Sequence, residues 1–318
     1  MAMNPRYVEA LRLIQSGRAA EAVPILAPLG TAGDGDALLT LGEMKWSGLV
    51  AQDPAVAREF FRHADEAGNV TARHYVTNLL ASGIAGARDW PRAVARLREE
   101  ARRDPARRAA LTLLDRMTLS ATGDPLTPPA GRSLSGAPVV LLFEGLLTRQ
   151  ECDYLTAIAT PGYAPSTVYD SQRRLVRDPI RTSDGSTLHW LMEDPAVHAI
   201  NRRIAAASGS DASFGEAMQI LRYQPGQQYH PHFDFAQASD NQRVMTALVW
   251  LNAGYEGGET SFPETGLTVK GGIGDAIVFR NALEDRRRDP MSKHAGLPVT
   301  AGTKILGSRW IRERRWHP

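Results

Sequence analysis

Tyr229-His230-Pro231-His232-Phe233-Asp234-Phe235 is the segment on which the reading of this chain turns. An extended strand alternates its side chains with a period of two, so His230, His232 and Asp234 project to one face. An imidazole and a carboxylate two residues apart suit adjacent positions on an octahedral metal. A third ligand must come from elsewhere, and His294, in Ser292-Lys293-His294-Ala295-Gly296, is the one downstream histidine before His317. Two histidines and a carboxylate on one side of an iron leave positions open for a bidentate co-substrate and O2. A structural zinc would more often be closed by four protein ligands, cysteine prominent among them. Taken alone, a His-x-Asp pair reads as a polar strand face; a lysine further along the chain changes that.

Ten residues after His294 comes Lys304-Ile305-Leu306-Gly307-Ser308-Arg309-Trp310, a strand-like run. Period two sends Lys304, Leu306, Ser308, Trp310 and Arg312 to one face. A lysine inside a barrel is costly unless an anion meets it, and the far carboxylate of a 2-oxo diacid chelating the metal is such an anion. Around this core lie further β-type runs at Val139–Phe143, Met218–Tyr223, Val244–Leu251 and Ala276–Phe279, with helical patterns near Thr148–Ala159 and Pro195–Ala207. Many short strands parted by glycine turns predict a double-sheet β-sandwich or barrel with flanking helices.

From Leu221 to Trp310 the chain resembles the prolyl 4-hydroxylase family of Fe(II)- and 2-oxoglutarate-dependent oxygenases. The stretches that carry the resemblance are Arg222-Tyr223 with Gly226-Gln227 and Tyr229; His232-x-Asp234; Arg243-x-x-Thr246-x-Leu248 and Trp250-Leu251-Asn252; Gly257-Gly258-Glu259-Thr260-x-Phe262-Pro263; Gly274-Asp275-Ala276 with Phe279 and Asn281; and His294-Ala295-Gly296 leading to Lys304 and Trp310. With weaker matches such as Arg181-Thr182-Ser183, the similarity spans about residues 138 to 314. The resemblance implies a double-stranded β-helix, or jelly roll. It implies His232, Asp234 and His294 as iron ligands and Lys304 as the anchor of the 2-oxoglutarate carboxylate. It also implies Tyr223 and Thr260 as residues that assist the co-substrate, Trp310 as an aromatic wall near the iron, and Arg243 as a basic residue near the substrate channel. Fe(II), 2-oxoglutarate and O2 are the implied cofactor and co-substrates, with ascorbate as a further aid. The family often has another polar residue where His230 stands, so His230 is either a histidine at the pocket mouth or a rival ligand.

Residues 4 to 118 follow a different pattern, rich in Ala, Leu and Arg and nearly without strand signals. Ala37, Gly48 and Asp53 find echoes in Ala72, Gly83 and Asp89, an offset of about 35 residues, the period of helix-turn-helix solenoids. This region resembles Sel1-like or tetratricopeptide-type repeats. It is either a surface for a peptide or partner protein, or a support for the catalytic part. Between Ser120 and Pro138 the run of Thr, Gly, Asp, Pro and Ser cannot continue a helix. The expected organisation is therefore α+β and multidomain: a helical repeat domain over 1–119, a linker over 120–137, and an oxygenase domain over 138–318.

Composition sets outer bounds. A formal net charge of +2 is too small to imply a nucleic-acid partner, and the cluster Arg286-Arg287-Arg288 sits in a loop-like stretch where solvation accounts for it. Cys152 is the single cysteine, which rules out an intramolecular disulfide or a thiolate zinc cluster. The N-terminus lacks the apolar run of a signal peptide and no segment reaches membrane-spanning length, so the expectation is a cytoplasmic protein without membrane association. The expected activity is hydroxylation of a C–H bond, in a prolyl or other side chain of a peptide or protein. A free amino acid or small metabolite is the alternative substrate. A repeat-based interaction protein with a sensory or inactive oxygenase domain is the alternative of another class. The segment from Tyr169 to Ser183 is read as a lid or a plain polar hairpin.

Overall fold

A computed structural model describes residues 4–169, 175–236 and 239–316. Residues 170–174 of the expected lid, and His317, lie outside the described residues. The chain divides into two compact units, one holding the residues up to 112 together with Trp190–Pro195, the other 113–189 and 196–316.

The first unit is built of helices Pro5–Gln15, Ala19–Thr31, Gly35–Ser47, Pro54–Glu66, Val70–Ser82, Trp90–Ala101 and the greater part of Pro105–Leu114. Their ends explain why the sequence breaks where it does. Asp34, Asp53, Asn69 and Asp89 each cap a helix by accepting a backbone N–H through the side chain, a contact worth about 1 kcal/mol. Gly48 and Gly83 close their helices in the left-handed region at φ of 77° and 73°. The offset seen in the sequence thus reappears in paired caps, Asp34 with Asn69, Gly48 with Gly83 and Asp53 with Asp89. Ala37, Ala57, Ala72 and Ala93, at matching offsets, are all fully buried. Small residues let the helices approach: a Cβ on Gly42 would lie 2.5 Å from the Phe61 ring. No helix among the described residues is long and apolar enough to cross a membrane.

The second unit is built on two larger antiparallel sheets, with two short two-stranded ladders beside them. Eight strands lie in the order Arg132–Gly136, Val139–Phe143, Ala276–Arg280, Arg243–Trp250, Lys304–Arg312, Met218–Tyr223, Asp184–Leu188, Ala164–Pro165. Four more lie in the order Leu267–Val269, Thr260–Phe262, His294–Gly296, Tyr229–His232. Side chains from both sheets, among them Leu248, Trp250, Ile277 and Leu306 of the larger and Phe262 and Val269 of the smaller, meet in one buried cluster. That is the packing of a jelly roll, with helices Arg149–Ala159 and Pro195–Ser208 alongside. The predicted strands and helices of this half recur within a residue or two. One stretch differs. Arg132–Gly136, read as part of the linker, is an edge strand paired with Val139–Phe143. Its own Ser and Gly composition signals a loop, and a neighbour only a tight turn away supplies the ladder that composition cannot. The compact units also divide at 112/113, ahead of the expected boundary.

Candidate metal and co-substrate site

Strand pairing brings the two histidines together. His294 stands directly opposite His232 across the ladder between His294–Gly296 and Tyr229–His232. Asp234 follows two residues beyond His232, and ligand atoms of all three lie within 4.8 Å of one another. Each imidazole is aimed by its distal nitrogen: Nδ1 of His232 donates to the His230 carbonyl at 2.8 Å, and Nδ1 of His294 to the Ser292 carbonyl at 3.0 Å. This fixes the tautomer that leaves both Nε2 lone pairs facing Asp234, at 3.5 Å from its two oxygens. Nε2 of His232 is buried and makes no hydrogen bond among the described residues, which is the state of a nitrogen built to meet a cation. Burial lowers the His294 pKa to about 4, so the ring is neutral at pH 7. Burial would raise the Asp234 carboxyl, but His294, His232 and the Thr246 hydroxyl outweigh it and hold the group well below the usual carboxylate range. One ionised carboxylate and two imidazoles, each with its Nε2 turned toward that carboxylate, make a donor set that fits a divalent iron.

Tyr229 stacks on His232 with ring centroids 3.4 Å apart, and Phe279 meets His294 edge-on at 4.7 Å. These contacts hold the ligand rings against rotation. The carboxylate has its own holder, since the Thr246 hydroxyl donates to Asp234 Oδ2 at 2.6 Å.

The same cavity ends at a buried cation. Lys304, Leu306, Ser308 and Trp310 all line it, as the period of the strand Lys304–Arg312 requires. Lys304 is 2% exposed, and its Nζ donates to the Gly258 carbonyl at 2.7 Å. Burial drops its pKa to about 8, with Glu259 pulling upward and Lys270 downward. Glu259 is itself 3.8 Å from Lys270, and among the described residues Lys304 forms no ion pair. Gly257 and Gly258 make the approach possible. Both have positive φ, at 67° and 70°, and a Cβ on Gly258 would sit 3.1 Å from Lys304 Cδ. Tyr223 lies opposite Lys304 in the ladder. Burial raises its hydroxyl to about 12, so it is a neutral donor; a hydrogen bond with Ser183 and the charge of Arg181 pull the other way.

Thr260 and Trp310 also line the cavity, and both are buried. Arg243 does not line it. Its guanidinium is gripped by the Glu216 carboxylate, with bonds of 2.6 and 2.9 Å, and lies over the Trp310 ring at 3.8 Å. His230 is exposed and stands outside the ligand group. His230 shares the strand Tyr229–His232 with His232 yet is exposed, so strand period alone does not place a side chain in the site. Arg181 and Tyr229 line the cavity, and Thr246 and Asn281 support Asp234 from behind. The sequence marked all four as motif positions without a role, because a position in a motif does not say which way a side chain points.

A jelly roll carrying two histidines, one carboxylate and a buried lysine in a single cavity defines the class of non-haem iron oxygenases that take a 2-oxo acid. A family profile described as the 2OG-Fe(II) oxygenase superfamily matches residues 218–312. Prolyl 4-hydroxylase 1 of Arabidopsis thaliana is 37% identical over 201 residues, covering 57% of this chain and 71% of that protein. Probable prolyl 4-hydroxylase 3 of the same plant is 34% identical over 203 residues, covering 56% and 70%. A solved structure of a viral collagen prolyl hydroxylase from Paramecium Bursaria Chlorella virus-1, in complex with 2OG, is 29% identical, covers 54% of this chain and 95% of that one, and has a TM-score of 0.42. The chain belongs to the prolyl 4-hydroxylase family of 2-oxoglutarate- and Fe(II)-dependent oxygenases, and is an enzyme of that class.

Proposed function

We propose that this enzyme hydroxylates prolyl residues in a peptide or protein, with His232, Asp234 and His294 holding Fe(II) and Lys304 holding 2-oxoglutarate. The observation that carries the site assignment is the buried Lys304, which forms no ion pair among the described residues, in the cavity that also presents the three ligand atoms. Fe(II), when bound with 2-oxoglutarate and O2, supplies the oxidising chemistry that hydroxylates a C–H bond and releases succinate and CO2. The chain's own residues do the rest. Lys304 neutralises the far carboxylate of the co-substrate, Tyr223 and Thr260 border it, and Trp310 walls the cavity against water. Relatives 31–37% identical to this chain bear the name prolyl 4-hydroxylase, which supports the choice of substrate. The helical unit is the proposed surface for the peptide or a partner protein, and ascorbate is expected to sustain turnover.

The test is incubation of the full chain with Fe(II), 2-oxoglutarate, ascorbate and proline-containing peptides, followed by mass spectrometry. The expected product is one oxygen atom heavier at proline, formed in step with succinate. Oxygen gained by free proline while peptides stay unmodified would overturn the substrate assignment. Undiminished turnover in His232→Ala would overturn the metal assignment.

A further inference from the structure

We infer that Asn281 is a positioning residue for the metal ligand Asp234, acting through Thr246 in a one-way hydrogen-bond relay. The inference rests on the proposed role of Asp234 as a ligand. Asn281 Nδ2 donates to Thr246 Oγ1 at 2.8 Å, and Thr246 Oγ1 donates to Asp234 Oδ2 at 2.6 Å. Asn281 and Thr246 are fully buried and Asp234 nearly so. No solvent competes for these bonds, and in such surroundings each is stronger than in water.

The direction of the relay follows from which groups can donate. An ionised carboxylate only accepts, and an amide NH2 only donates. The hydroxyl between them therefore takes the amide hydrogen and spends its own on Asp234. With the amide turned the other way, one hydroxyl proton would have to serve two buried acceptors, Asp234 and the amide oxygen, and the carboxylate could lose its donor. In the orientation present the bond to Asp234 is made and only the buried amide oxygen lacks a partner among the described residues. The relay thus commits Oδ2 to Thr246. The bond fixes the orientation in which Asp234 presents its remaining lone pairs to a metal.

The placement of Asn281 supports this reading. Thr246 sits mid-strand in the larger sheet, opposite Phe279 on one side and Trp310 on the other, whereas Asp234 follows a strand of the smaller sheet. The relay ties the two sheets together at the ligand. The Asn281 backbone is pinned as well: its N–H donates to the Val244 carbonyl at 2.8 Å, and its carbonyl accepts from the Asp289 N–H at 3.0 Å. Asp289 in turn holds the turn at Ser292, whose carbonyl orients His294. A single residue at the end of the strand Ala276–Arg280 therefore reaches two ligands, one through its side chain and one through its main chain.

The experiment uses the full chain without iron and measures Mn(II) affinity by titration, together with the visible charge-transfer band of the anaerobic Fe(II)–2-oxoglutarate complex. Groups that orient ligands typically cost 10–100-fold in metal affinity when removed. Thr246→Val should weaken Mn(II) by about that factor and shift the band, and Thr246→Ser should restore both. Asn281→Ala should weaken Mn(II) by roughly tenfold, yet add nothing on the Thr246→Val background, because residues acting in series do not add. If Thr246→Val does not fold, Asn281→Ala reads the relay from its far end. Mn(II) affinity unchanged in either single variant, or losses that multiply in the double variant, would overturn the relay. Failure of the wild type to bind Mn(II), or binding as tight in Asp234→Ala, would instead overturn the ligand assignment beneath it.

Discussion

Lys304 is costly to the fold and, in its proposed role, necessary to the site. Burial depresses its pKa from 10.5 to about 8. Below about pH 8 the lysine is charged in both folded and unfolded chains, and the whole cost of burying the charge is present. Between about 8 and 10.5 the unfolded chain binds the extra proton, so this group's contribution to stability improves as pH rises. Co-substrate binding runs in the opposite direction, since the ammonium is the form that meets a carboxylate. The KM for 2-oxoglutarate should be flat below about pH 8 and rise roughly tenfold per unit above it; a KM flat to pH 10 would contradict this. Lys304→Met should weaken 2-oxoglutarate binding by about 2–5 kcal/mol, the usual cost of truncating one partner of a buried charge pair. Equilibrium binding to the Mn(II) enzyme measures this without turnover. At this scale the sequence was legible where chemistry is rare. A His-x-Asp, a distant histidine and a strand lysine have few other uses together. Arg243 was not legible, since arginine serves equally well at a channel or, as here, stacked behind Trp310 and held by Glu216.

Among the elements, the short ladder between Glu256–Gly257 and Val299–Ala301 sets the floor under Lys304. Gly257 has φ of 67°, and a Cβ there would collide with the Pro298 carbonyl oxygen. Gly257→Ala should therefore destabilise the fold by at least the roughly 1–3 kcal/mol of a strained backbone position, visible as a lower midpoint in urea. Because the loop carries the Gly258 carbonyl, the same variant should raise the KM for 2-oxoglutarate; an unchanged KM would show that the loop does not set the lysine. The long strands and helices were readable from period and caps, with Thr148 and Glu151 forming a capping box at the start of Arg149–Ala159. The edge strand Arg132–Gly136 was not, because pairing there comes from its partner and not from its own residues.

On the scale of the molecule, two units carry two separate hydrophobic clusters, one of Leu26, Leu41 and Met44 among helices, the other between sheets. Separate cores predict unfolding that departs from a single two-state step. Scanning calorimetry should show two peaks, or a van't Hoff enthalpy below the calorimetric one. The candidate metal ligands and the proposed co-substrate residues all belong to the second unit. Mn(II) with 2-oxoglutarate at a hundredfold excess over Kd should stabilise that transition by about 2.7 kcal/mol and leave the helical one in place. A single transition that moves as a whole would show that the units unfold together.

The sequence alone determined the succession of helices and strands, the class of reaction and the three candidate ligands, because periodicity, capping and rare donor types are local properties of the chain. Tertiary structure decided what depends on orientation. It stood His294 opposite His232, turned Arg243 away to Glu216, left His230 at the surface, and set Asn281 behind Thr246. Each of these follows from the ladder register and the closeness of two sheets. A one-residue slip would send a side chain to the other face, and no spacing along the chain specifies that register.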